Sequence, residues 1–370
     1  YKNEWDYIDR FLELLKSAVK NRLQNNSKNG VLMSGGLDST SLYAISKLSV
    51  NDNIFPICGI FDELVDCDER YYIDQVLKKY NQEAVFVNCD DCGMLVGYPN
   101  DYFFTYEPYV NALTLKFTKK LIKVASLNGI KNIIDGYGAD HLLTGNLVGT
   151  VDKIKNFKLI DALKDIKEVS ISLNSSFYSC LKKYVIKALY NSDYIPDTDE
   201  NITTYLSDDL KRMKLYNQKE LYLQMRSANA VRYTDRELNP RYDIISKHPF
   251  LDKELVEFIY NISGDFRLNK KSNKYILRSS VKNLLPEEVV NRMVKTQHVS
   301  LSSKGLNEVW PYIYSYAKKF MIGELDIVRM SKKSWIEELS RFRSGLAVRA
   351  DFLLLLSLEL WINEYCKKIA

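Results

Sequence analysis

The sequence of 370 residues is poor in histidine, with only three, and lacks a strong charge of one sign, with 52 basic residues against 47 acidic ones. So few histidines leave little material for a transition-metal centre. A net charge of +5 spread over this length does not mark a nucleic-acid surface, so nucleic acid is not an expected partner. A long apolar run is also missing. The richest stretch, Phe352-Leu353-Leu354-Leu355-Leu356, is interrupted by Ser357, Glu359 and Asn363 and reads as a buried helix rather than a membrane span. The opening residues, Tyr1-Lys2-Asn3-Glu4-Trp5, show no basic region followed by an apolar one. No secretory signal is therefore expected, and the expected location is cytoplasmic, away from membranes. The closest cysteines of the six are Cys89-Asp90-Asp91-Cys92, with no second such pair. Free thiols are the expectation there, rather than a zinc or redox site.

What remains is an ordinary globular composition, 46% hydrophobic and 27% charged, long enough for one large core or two moderate ones. Residues 5 to 23 carry apolar side chains at three- and four-residue steps and predict an amphipathic helix. A strand is expected at Gly30-Val31-Leu32-Met33, another at 54 to 60, a third at 83 to 87 and a fourth at 130 to 134, with helices between them. Strands alternating with helices of this length imply an α/β fold with a parallel sheet covered on both faces. Beyond about residue 155 helical patterns dominate, at 157 to 190, 205 to 232, 252 to 262, 272 to 284, 306 to 321 and 333 to 367. The expected organisation is an N-terminal helix (1–25), a sheet-bearing nucleotide core (26–155) and a mainly helical remainder (156–370). The polar stretch 191 to 201 is expected to be a mobile loop.

The strongest signal is Ser34-Gly35-Gly36-Leu37-Asp38-Ser39, between a strand and a helix. The glycines allow a tight turn close to an anion, and the following helix N-terminus faces it. Ser34 and Ser39 can add hydroxyl donors. Asp38 would repel bare phosphate and makes sense as a magnesium ligand. No lysine follows the glycines, so this is not a P-loop. It matches the SGGxDS pyrophosphate loop, whose enzymes cleave ATP between its α and β phosphates.

At this point the chain resembles the C-terminal synthetase domain of the asparagine synthetase family. In its glycine loop it looks most like the β-lactam and lasso-peptide macrolactam synthetases. The ordered features are the Ser34 loop, the strand end at Gly59-Ile60, Asp68-Glu69, the turn Gly136-Tyr137-Gly138-Ala139-Asp140, and His248-Pro249-Phe250-Leu251-Asp252. Lys274, Leu277-Arg278, Pro286, Arg292 and Lys295 follow. The resemblance implies a pyrophosphate-loop ATPase fold using ATP and Mg2+. It implies nucleotide contacts at Val31, Met33, Ser34, Gly35, Gly36, Asp38, Ser39, Gly59, Ile60 and Gly136. Asp38 and Asp140 would hold magnesium, and Lys295 would stabilise charge near the adenylate. Phe250 and Leu251 read as core, and Asp252 as a cap for the next helix.

Two departures narrow the expected chemistry. No glutaminase domain precedes the loop, so glutamine hydrolysis by this chain is not expected, although a glutaminase-like or peptide-recognition protein could be separate. Tyr137 stands where asparagine-forming members usually carry glutamate and where β-lactam synthetases carry tyrosine. The resemblance implies that Tyr137 pairs with a glutamate about 30 residues onward to deprotonate a substrate amine. Glu168 is best placed, with Asp165 and Asp161 as competitors on the same predicted helix. Packing of Tyr137 against adenosine or substrate is the plainer role. His141 departs from the glutamate that many relatives carry there. The expected reaction is adenylation of a small-molecule or peptide carboxylate followed by attack of an amine, giving a lactam or macrolactam. Ammonia-dependent asparagine synthesis, another pyrophosphate-loop activity and a catalytically inert scaffold are the competitors. The aromatic stretch Tyr98, Tyr102, Phe103, Phe104, Tyr106 and Tyr109, with Glu107-Pro108, reads either as a peptide pocket or as a packed loop.

Overall fold

The computed structural model describes residues 3–369 except 26, 51–52, 103–107, 109–113, 146, 173–174, 191–206, 228–232, 270–271, 347 and 349–350. The expected mobile loop therefore lies outside the described residues, as do Phe103, Phe104, Tyr106, Glu107 and Tyr109 of the aromatic stretch.

The first helix, α1 (Glu4–Lys20), starts where Asn3 and Asp6 exchange side-chain and backbone hydrogen bonds, at 3.1 and 3.3 Å. Its stripe of Ile8, Phe11, Leu15 and Val19 is buried. Each such side chain contributes roughly 1.5–3 kcal/mol of burial. That stripe packs into the same core as Val31, Ile54 and Ile134 of the sheet.

Five strands form one fully parallel sheet in the order β3-β2-β1-β4-β5: β1 (Asn29–Leu32), β2 (Ile54–Ile60), β3 (Val85–Asn88), β4 (Asn132–Ile134) and β5 (Ile245–Lys247). Helices α2 (Leu37–Val50), α3 (Arg70–Tyr80) and α4 (Leu115–Leu127) make the crossovers. Side chains alternate between faces as the strand period requires. Val31, Ile54, Cys58 and Ile134 join the core under α1, α2 and α3, while Ile57, Val87 and Ile133 face Leu121, Ile122 and Ala125 of α4. Both faces are thus covered. The sheet's fifth strand comes from the mainly helical remainder, in the gap between the helical patterns at 205 to 232 and 252 to 262.

After β4 come α5 (Ala139–Leu143), α6 (Gly149–Lys155) and α7 (Leu159–Ser172). The helical pattern at 157 to 190 is not one helix. A new N-terminus begins at Ser176, whose side chain accepts the N–H of Ser179 at 3.1 Å. The stretch 272 to 284 opens as a strand instead: β6 (Leu268–Asn269) and β7 (Ser272–Asn273) pair antiparallel before the helix Tyr275–Val281. Asp252 does cap the next helix, its carboxylate accepting the N–H of Glu254 at 3.1 Å. The last three long helices, Val299–Ala317, Lys332–Arg343 and Phe352–Ile369, enclose their own apolar cluster around Trp310, Trp335 and Phe352. No helix among the described residues is long and apolar enough to cross a membrane.

Candidate active site

The strand order reverses between β1 and β4, and a crevice opens beyond their carboxyl ends. The Ser34 loop leaves β1 and the Gly136 turn leaves β4, so neighbouring strands deliver both motifs to one place. Gly136 lies against Asp38 and Ser39 so closely that an added Cβ would sit 3.2 Å from Asp38 Cβ.

Within the Ser34 loop the hydroxyls serve the turn itself. Ser39 Oγ accepts the N–H of Ser34 at 3.0 Å and lies 3.1 Å from Ser34 Oγ, which accepts the N–H of Gly36 at 3.2 Å. The Gly35 peptide is held on both sides. Its N–H donates to Glu69 Oε2 at 3.0 Å, and its carbonyl accepts from Arg292 Nη1 at 2.9 Å. Arg292 closes the clamp by pairing with Glu69 Oε1 at 2.7 Å, its guanidinium 4.1 Å from the Tyr72 ring centroid. Gly35 is required here because an added Cβ would meet Tyr72 Cβ at 2.8 Å and Glu69 Cβ at 3.0 Å. The glycine thus makes room for the clamp, a different use from close approach to an anion. A helix start leaves the N–H groups of its first turn without acceptors inside the helix, and α2 starts at Leu37, just beyond the carboxyl end of β1.

Asp38 and Asp140 face one another across a cavity of about 210 Å³, which is also lined by Lys274, Arg278, Arg292 and Lys295. Lys274 Nζ donates to Asp38 Oδ2 and lies 2.6 Å from Asp140 Oδ1, while Lys295 Nζ lies 2.6 Å from Asp140 Oδ2. Burial opposes ionisation of Asp140, but Lys274 and Lys295 outweigh it and hold its pKa down to about 2. Lys295 is correspondingly raised, burial again being outweighed by Asp140. Asp38 Oδ1 is buried and has no hydrogen-bond partner among the described residues. An orphaned carboxylate oxygen beside a second carboxylate fits Mg2+, which takes one or two protein carboxylates and fills its shell with phosphate oxygens and water. Among the described residues no cluster of three or more potential ligands exists.

The other expected contacts are more limited. Val31 and Met33 are buried in the core, leaving only their backbone for a nucleotide. Gly59 and Ile60 end β2, where an added Cβ on Gly59 would meet the Phe117 ring at 2.8 Å. Phe117 in turn stacks with Phe61, centroids 6.3 Å apart. Tyr137 sits between His141 and His248, ring centroids 5.5 and 5.7 Å away. Burial pushes the His141 imidazole pKa down, against the pull of Asp140. Glu168 lies on α7 as expected, but it lines a second cavity of about 540 Å³, with Lys153, Asp165 and Asp265, and Tyr137 is not among the residues of that cavity. The two cavities share the β6–β7 hairpin, which gives Leu268 and Asn269 to one and Asn273 to the other. All six cysteines are free thiols, five of them buried.

Three relationships escaped the sequence: the Glu69–Arg292 clamp, the placement of Lys274 between the two aspartates, and the contact of His248 with two carboxylates. Glu69, Lys274 and Arg292 were visible as motif members, but their partners were not. Nothing in the sequence pairs His248 with Asp135, because the strand that places it, β5, is only three residues long.

The asparagine synthase family profile matches residues 10–310. The chain belongs to the asparagine synthase family, and with it to the ATP-dependent amide-forming ligases. No curated protein matches it. Among solved structures it is similar to the U34-tRNA thiolase NcsA from Methanococcus maripaludis, at 12% identity and a TM-score of 0.34, over 92% of this chain and 81% of that one. A likeness that distant carries no functional argument.

Proposed function

We propose that this ligase adenylates a substrate carboxylate, releases pyrophosphate, and joins an amine of the same substrate to the activated carbon, giving a lactam or a peptide macrolactam. The observation that carries the reading is the pair Asp38 and Asp140 facing each other between the two glycine turns, ringed by Lys274, Arg278, Arg292 and Lys295. Such a cavity suits a polyphosphate with its magnesium. Bound Mg2+ would neutralise the phosphate oxygens and the departing pyrophosphate. Asp38 and Asp140 would hold it, and the first-turn N–H groups of α2 would bind phosphate. Lys295, mobile and charged, would stabilise negative charge at the adenylate and its collapse. The substrate carboxylate oxygen bonds to the α-phosphorus as the bond to the β-phosphate breaks; the amine then bonds to the acyl carbon, loses a proton, and AMP leaves.

Tyr137, in place of the glutamate usual in asparagine-forming members, supports an intramolecular amine. Holding both ends of one molecule supplies a large effective concentration. Tyrosine needs help to take a proton at neutral pH, its free pKa being near 10. Glu168 would give that help only if substrate or a shift of α7 brought it to Tyr137. Its position in the larger cavity fits equally a contact with the substrate's far end. A separate peptide-recognition protein is the partner this reading would accommodate.

The test is pyrophosphate release from MgATP with a panel of amino acids, β-amino acids and linear peptides, run beside Asp38→Ala. Release with a peptide or β-amino acid, accompanied by loss of one water from that substrate, is the expected result. Release that needs aspartate and ammonia would return the chain to asparagine synthesis and make Tyr137 incidental.

A further inference from the structure

Two carboxylates converge on one imidazole at the carboxyl edge of the sheet. His248 directly follows β5. Its Nδ1 lies 2.7 Å from Asp135 Oδ1, immediately after β4, and its Nε2 lies 3.0 Å from Asp235 Oδ2 in the short segment Thr234–Leu238. A neutral imidazole carries one N–H and can satisfy one of these acceptors. With both aspartates ionised, both ring nitrogens must carry protons. The His248 side chain is only 11% exposed, while Asp135 and Asp235 keep 21% and 32% of theirs, so the imidazole is the buried centre of the triad.

Each aspartate does a second task. Asp135 Oδ1 also accepts the backbone N–H of Tyr137 at 3.0 Å, and Asp235 Oδ1 accepts from Asn239 Nδ2 at 3.2 Å. The imidazole therefore ties three chain segments together, and one of them is the turn that carries Tyr137 and Asp140. The His248 ring also meets the Tyr137 ring nearly edge-on, at 66°.

We infer that His248, as an imidazolium, is a positioning residue for the ligase reaction: by fixing Asp135 it locks the Gly136-Tyr137-Gly138-Ala139-Asp140 turn in the orientation that presents Tyr137 to the substrate and Asp140 to the nucleotide. The kinetic part of this inference rests on the adenylation reading; the protonation part does not. Among the described residues, the titratable and charged groups around His248 are Asp135, Asp235 and Tyr137, with Lys247 its chain neighbour and His141 on the far side of the Tyr137 ring. Burial works against the charge, yet Asp135 and Asp235 prevail and raise the imidazole to about 9. The lock is thus closed through the neutral range and opens as pH rises through about 9.

The first arm of the test is nitrogen NMR of ring-labelled histidine. The chain has three histidines, and His248→Gln assigns one signal by its loss. The expected spectrum shows both His248 ring nitrogens protonated at neutral pH, with a midpoint near 9. A neutral ring at neutral pH overturns the inference. Asp235→Asn provides a milder variant if His248→Gln does not fold. It should lower the midpoint, and an unchanged midpoint would again refute the lock. The second arm is the pH profile of pyrophosphate release. Wild type should lose turnover above the His248 midpoint. His248→Gln should be slower by about 10- to 100-fold at neutral pH, as expected for a misplaced catalytic turn. Its KM for ATP should change far less, and the alkaline limb should be gone. A folded His248→Gln with wild-type turnover, or with the limb intact, contradicts the positioning role. Absence of pyrophosphate release in wild type with every substrate would instead count against the adenylation reading, and the NMR arm would stand on its own.

Discussion

Removing Arg292 tests whether the nucleotide loop is built by a buried ion pair. Arg292 and Glu69 side chains are 8% and 11% exposed, and they grip the two sides of one peptide, that of Gly35. Arg292 also donates to Val294 O at 3.0 Å and to Thr296 Oγ1. Arg292→Met would leave the Glu69 carboxylate buried without its cation. Breaking a buried pair from one side costs about 3–5 kcal/mol, whereas replacing both charges by apolar groups of similar size costs much less. Arg292→Met should therefore destabilise by about 3 kcal/mol or more, Glu69→Leu by a similar amount, and the double variant by clearly less than the sum, with a coupling of at least ~1.5 kcal/mol. Urea denaturation of the four proteins, with midpoints and slopes fitted together, measures this cycle. Additive losses, or single losses below about 1 kcal/mol, would show that the pair does not build the loop, which its serines would then hold alone.

Lys274→Ala removes the cation between Asp38 and Asp140, so it should destabilise the metal-free protein by roughly 2–4 kcal/mol, and added Mg2+ should recover part of that loss in a thermal melt. Gly138 has φ +91°, and an added Cβ would fall 2.5 Å from Leu251 Cδ2; Gly138→Ala should cost at least ~1–3 kcal/mol, read by urea midpoint, and slow turnover with it. The His248 lock also makes a stability prediction. Its pKa is raised from the ordinary 6.5 to about 9, so its contribution is complete below 6.5 and is lost as pH rises through about 9. At about 1.4 kcal/mol per tenfold in proton affinity the contribution is roughly 3 kcal/mol. Urea unfolding of wild type should show that loss between neutral pH and pH above 9, and His248→Gln should show almost none of it.

The parts legible in the sequence were those where local chemistry and local structure coincide. Ser34-Gly35-Gly36-Leu37-Asp38-Ser39 announces its turn because a strand precedes it and a helix follows, and the same is true of the Gly136 turn. The alternation of four strands with helices gave the parallel sheet. The fifth strand, Ile245-Ser246-Lys247, carries one apolar residue in three and, among the described residues, pairs only with β4, so no periodicity could reveal it. With it went the position of His248. Apolar spacing likewise overran the end of α7, because a helix break at a capping serine does not disturb the pattern of buried residues. Lys274 holds φ at +58°, a conformation a sequence offers no reason to expect of lysine, and that backbone is where its side chain departs toward the two aspartates. Glu168 was placed on the right helix, yet helix membership says nothing about which cavity the side chain enters.

The most direct test of the central claim follows oxygen. A substrate whose carboxylate is labelled with heavy oxygen is turned over with MgATP, and the nucleotide product is weighed. Adenylation predicts AMP carrying one heavy oxygen, transferred when the carboxylate bonds to the α-phosphorus and retained when the amide forms. Unlabelled AMP, or ADP with the label in orthophosphate, would contradict it.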